Sequence, residues 1–109
     1  MMEAGVLAKN FPNVFLDMCW GHVFPAPARR ALEEWLDVVP ANKISAFGGD
    51  YCFVDGTYGH QKLARNNVAM SLAKKVEENT FDLDRAKQIA QWIFYENPKR
   101  ILKLDKLLA

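Results

Sequence analysis

The chain has 109 residues, half of them apolar and a quarter charged, with a formal net charge of +1. That length holds one small domain, and the composition excludes an intrinsically disordered chain. The small net charge leaves no electrostatic footprint for nucleic acid or an anionic membrane surface. The two cysteines, Cys19 and Cys52, have neither metal-ligand spacing nor the density of a secreted disulfide scaffold. They read as buried thiols in a reducing, cytoplasmic compartment. Residues Met1 to Ala8 are apolar but contain Glu3 and no basic region, so they do not read as a signal peptide. No apolar run approaches the roughly 18–20 residues that span a bilayer.

In chain order, Met2 to Asn10 read as the end of a helix that stops near Asn10 and Pro12. The run Val14 to Trp20, bounded by Pro12-Asn13 and Gly21, has the length and borders of a buried strand. It shows little period-two alternation, as expected of a parallel strand covered on both faces. A helix follows from about Pro27 to Val38, with Ala28, Ala31, Leu32, Trp35, Leu36 and Val39 on one stripe. Pro27 suits its first turn, where the missing N–H would have no partner anyway. A second short strand, Ile44 to Phe47, runs into Gly48-Gly49-Asp50-Tyr51, and Cys52 to Gly59 reads as a loop. Helical spacing returns from His60 to Glu78, with Ala64, Val68, Leu72 and Val76 four apart and Ala69 and Ala73 beside them. Asn79-Thr80 ends that helix. Asp82 caps the next, and Asn97-Pro98 restarts the chain as a short helix ending at Leu107-Leu108.

This alternation predicts an α/β fold with two parallel strands and surrounding helices. Two strands do not complete a parallel sheet covered on both faces, and closing a barrel takes eight strands and about 250 residues. The expectation is therefore a single incomplete domain over 1–109, a partial (β/α)8 barrel. Its open strand edges, beside Phe15, Leu16, Ile44 and Phe47, call for a homo-oligomer or a second chain supplying the rest.

Three segments carry a resemblance: Phe11-Pro12-Asn13-Val14-Phe15-Leu16-Asp17, Ala46-Phe47-Gly48-Gly49-Asp50-Tyr51, and Ile93-Phe94-Tyr95-Glu96-Asn97-Pro98 followed by Ile101 to Leu104. In this order and spacing they resemble the C-terminal part of the amidohydrolase superfamily, with strands seven and eight and the closing helices. The likeness is to its uronate-isomerase-like and family-2 members, and Trp20 carries the uronate-isomerase flavour. The resemblance implies a metal-dependent hydrolase or sugar-acid isomerase that is not active as this chain alone, with zinc or manganese in the complete protein.

By that resemblance Asp50 is the aspartate ending strand eight, which touches the metal or its water and moves a proton; a carboxylate so placed can orient the water and accept its proton. Gly-Gly-Asp is also ordinary turn composition. Trp20, His22 and Tyr51 are candidates for a substrate wall. The superfamily's His-x-His pair has no counterpart in His22 and His60, and Arg65 is the nearest arginine after the second strand. Asp17, inside the first strand, needs a partner such as Lys43 or a backbone N–H. Cys19 has no base in sequence reach and reads poorly as a nucleophile. Two further readings are a non-catalytic remnant stable only as an oligomer and a small α/β interaction domain with a third strand near Cys52 to Val54.

Overall fold

Helices form wherever apolar residues recur three to four apart, and they take up most of this chain. The structure is a computed structural model that describes residues 1–107; Leu108, placed above at the end of the last helix, lies outside the described residues. The order is α1 (Met2–Asn10), β1 (Leu16–Asp17), a 3-10 turn (Cys19–Val23), α2 (Pro25–Val38), β2 (Ile44–Ser45), α3 (Thr57–Glu77), α4 (Leu83–Gln91), a π-helical turn (Trp92–Glu96), α5 (Asn97–Ile101) and α6 (Leu104–Leu107).

The two strands pair in parallel, Leu16 opposite Ile44 and Asp17 opposite Ser45. Each is only two residues long. The chain is therefore a small helical domain, and the expected α/β class and partial (β/α)8 barrel are wrong. Burial along the first run shows why. Leu16 and Met18 are buried while Phe15, Asp17 and Cys19 are exposed, so the segment is covered on one face only. Cys19 then takes a left-handed backbone, φ 49°, and turns the chain out of the ladder. The outer edge of β2 needs no neighbouring strand at Ile44, because the buried Asn97 Nδ2 donates to the carbonyls of Ala41 and Ile44 at 2.8 Å each. Cys52 to Val54 form no strand.

The core gathers Leu32 and Trp35 of α2, Ile44 of β2 and Ile93 of the π-helical turn. The expected stripe of α2 is buried except for Leu36, which is half-buried. On α3 the outcome is different. Ala64, Val68 and Leu72 are buried, but Ala69 and Ala73 are exposed, and the rest of the inner face is Asn67, Ser71 and Lys75. Each of these polar groups has a partner: Asn67 Nδ2 donates to the His22 carbonyl (2.9 Å), Ser71 Oγ to the Arg29 carbonyl (3.4 Å) and Lys75 Nζ to Asp37 Oδ1 (2.6 Å). Lys74 reaches Glu33 at 2.6 Å. The partners rise together in number, so α2 and α3 run in the same direction.

The helix ends follow local chemistry. Asn79, at φ 57°, closes α3 with Thr80 N donating to the Lys75 carbonyl and Asn79 N to the Val76 carbonyl, the paired bonds of a Schellman motif. The Asp82 carboxylate accepts from Arg85 N at 2.8 Å and caps α4. A helix opens at Asn97 as expected, though it ends at Ile101, and its first turn holds Pro98. The proline has no N–H to offer the preceding turn and its ring crowds the carbonyl four residues back, and the helix widens into the π turn just before it. Lys43, offered above to Asp17, instead donates to the carbonyls of Ala8 and Phe11 at 2.6 and 2.7 Å, at the end of α1. Among the described residues no helix is long and apolar enough to cross a membrane.

Candidate functional site

Asp17 is exposed rather than buried, and its Oδ1 accepts the Cys19 N–H. That two-residue link is a turn built by the aspartate itself. It carries the chain from β1 into the 3-10 turn that holds Trp20 and His22. The second strand end arrives beside it through Gly48, whose N–H donates to the Cys19 carbonyl at 3.2 Å. A Cβ on Gly48 would lie 2.8 Å from Cys19 Cα and 3.0 Å from Asp17 Oδ1. Only glycine lets the two segments touch here.

Past that contact Asp50 sits exposed, also in left-handed backbone at φ 50°, and the Cys19 thiol donates to its Oδ2 at 3.6 Å. Partial desolvation, then the Asp50 and Asp17 carboxylates, push the Cys19 thiol above its ordinary value, against an opposing pull from the Trp20 backbone. A thiol held in its neutral form is a poor nucleophile. Both cysteines are exposed, which corrects the expectation of buried thiols.

The aromatic candidates divide. Trp20 is two-fifths exposed and meets Phe24 edge-on at 5.5 Å. Tyr51 stacks on His60, with ring centroids 4.4 Å apart. His22 is 1% exposed inside the 3-10 turn. Its ring lies 5.3 Å from Phe47, its Nδ1 is 2.8 Å from the Cys19 carbonyl, and its Nε2 is 3.0 Å from His60 Nδ1. His22 therefore offers no face to a substrate and supports His60 instead. His60 lies in the first turn of α3, and nothing local links these residues, 38 positions apart; only the fold joins them. Arg65 lies exposed on α3.

The donor set does not fit a resident metal ion. Among the described residues no three His, Cys, Asp or Glu side chains converge, whereas a catalytic zinc takes about three protein ligands. Both nitrogens of His22 are engaged within the fold, and Asp50 has only the weakly ligating neutral thiol beside it.

No family model matches this chain. It is similar to Protein fluG of Emericella nidulans, 29% identical over 108 residues. The alignment covers 95% of this chain and 12% of that protein, so the chain spans a small part of its relative's length.

Proposed function

We propose that the face joining the two strand ends contributes Asp50, as a proton-accepting carboxylate, to a hydrolase or sugar-acid isomerase of the amidohydrolase kind. The observation that carries this is the Asp50–Cys19 contact. Two non-glycine residues in left-handed backbone, each following a strand, meet with the carboxylate exposed. Such conformations cost of order 1–3 kcal/mol each and concentrate at functional sites. The order of the three resembling segments supports the same reading. In this role Asp50 orients a water and takes its proton, while Tyr51 and Trp20 supply aromatic surface beside it. The domain, 1–109, is then part of a larger site, and any metal of that site takes its ligands from outside this chain. A cytoplasmic location goes with the reading, since both thiols are free.

The test is turnover of glucuronate and of 4-nitroacetanilide by the complete natural product containing this chain. Asp50→Asn is expected to lower the rate about 10²-fold or more. Wild-type rates in that variant would remove Asp50 from the chemistry. No turnover of either probe favours the second reading, an interaction module. That alternative has its own observation: a groove of 430 Å³ between α3 and α4, walled by Leu72, Val76, Leu83, Ala86 and Ala90. A homo-oligomer or a partner chain would cover it, and light scattering at micromolar concentration distinguishes the oligomer from a monomer.

A further inference from the structure

The two histidines form a directed pair, and its direction follows from one carbonyl. The Cys19 carbonyl oxygen can only accept, so the hydrogen between it and His22 Nδ1, 2.8 Å away, belongs to the ring. A second proton on His22 would place a cation at a site 1% exposed with no carboxylate among its hydrogen-bond partners, which is costly. With a single ring hydrogen on Nδ1, His22 Nε2 carries a lone pair, and His60 Nδ1 at 3.0 Å is then the donor. A neutral His60 that donates from Nδ1 has its other nitrogen, Nε2, bare.

That nitrogen reaches the surface: among the described residues no buried side-chain nitrogen lacks a hydrogen-bond partner, and the His60 ring is bonded through Nδ1. His60 is half-buried. A Cβ on Gly56 would come within 3.3 Å of its Cδ2 and 3.6 Å of its Nε2, so any larger residue there would crowd this edge of the ring. Tyr51 stacks on one face, with ring centroids 4.4 Å apart. The titratable groups in contact with His60 are thus His22, from the 3-10 turn, and Tyr51, from the loop before α3. That loop also carries Asp50 and Asp55, and the first turns of α3 carry Lys62 and Arg65.

We propose that His60 Nε2 is a proton-accepting atom of this face, open to a water or substrate hydroxyl, and that His22 is a positioning residue that fixes His60 in its Nδ1–H form. On transfer an N–H bond forms at Nε2, the donor's O–H bond breaks, and the electron pair stays on the oxygen. The imidazolium keeps donating from Nδ1 to His22. This goes beyond the role given to Asp50 and does not depend on it.

The experiment is nitrogen NMR of the histidine rings in the full chain, labelled with ¹⁵N, across a pH titration. At high pH both rings are expected as Nδ1–H tautomers. As the pH falls, His60 Nε2 moves to the protonated position while His22 stays neutral. In His22→Phe, His60 is expected to lose its fixed tautomer, and in His22→Gln, whose amide oxygen can accept, to retain it. Should neither variant fold, the wild-type tautomers decide. His60 found with its hydrogen on Nε2 at high pH, or His22 taking up the proton in its place, would overturn the proposal.

Discussion

Asn97 does the work of a missing strand neighbour, and replacing it measures how much. It is 2% exposed, and its one amide group serves two carbonyls, those of Ala41 and Ile44. Asn97→Ala removes both bonds and leaves the Ile44 carbonyl without its donor, while the Ala41 carbonyl keeps the Ile44 N–H. An unsatisfied buried polar group costs about 1–3 kcal/mol. Loss of the second bond, to a carbonyl that keeps another donor, adds about 1 kcal/mol, so the expected total is about 2–4 kcal/mol. A domain of this length has a stability of about 5–15 kcal/mol, and the loss lowers the melting temperature by roughly 10–20 °C. Urea unfolding followed by tryptophan fluorescence reads it directly, because Trp35 is 2% exposed and reports on the core. Asn97→Asp sharpens the test. At neutral pH it sets a carboxylate against two carbonyls and is expected to be worse than alanine. Below the usual carboxylate range the protonated acid can donate one bond, and the gap to alanine closes. An Asn97→Ala protein within about 0.5 kcal/mol of wild type, the range of an ordinary surface substitution, would refute this account of the strand edge.

Asp50→Asn should make Cys19 react faster with iodoacetamide while Cys52 is unchanged, since a carboxylate that raises the thiol is removed; equal rates would deny the contact. Because the fold holds the Cys19 proton more tightly than the unfolded chain, that contribution to stability is complete below the thiol's unfolded value. It is lost as the pH rises through the raised folded value, and Cys19→Ser should remove this dependence from alkaline unfolding curves. Gly48→Ala should cost about 1–3 kcal/mol in chemical denaturation, because the new Cβ meets backbone at 2.8 Å. Asn79→Gly should be neutral or slightly stabilising and Asn79→Ala destabilising by about 1 kcal/mol in thermal melts, since the position is left-handed.

Much of the helical framework was legible. The spacing of Ala28, Ala31, Leu32 and Trp35 names the buried face of α2, and Asp82 announces the start of α4. The pairing of the two apolar runs was also legible, as was its parallel sense. Their extent was not. The apolar character of Val14 to Trp20 hides a one-sided burial that depends on the turn at Cys19. The polar inner face of α3 was missed for a related reason: Asn67, Ser71 and Lys75 look like solvent residues until their partners on the 3-10 turn and α2 are known. At the candidate site, Asp50 could be singled out from its place after a strand, whereas the function of His22 as a buried support depends on His60, which no sequence pattern brings near.

The three polar links along α3 have a consequence for anything that binds near His60. Asn67, Ser71 and Lys75 lie at successive turns, each tied to a different point on the neighbouring chain. Sliding α3 by one turn, about 5.4 Å, would break all three together. The helix has one seat, like a key cut at three depths. His60 rides on the first turns of that same helix, so its distance from His22 is set by contacts reaching nearly to the other end. Shifting the His60 backbone away from His22 would therefore mean unwinding the first turn of α3 or breaking these links.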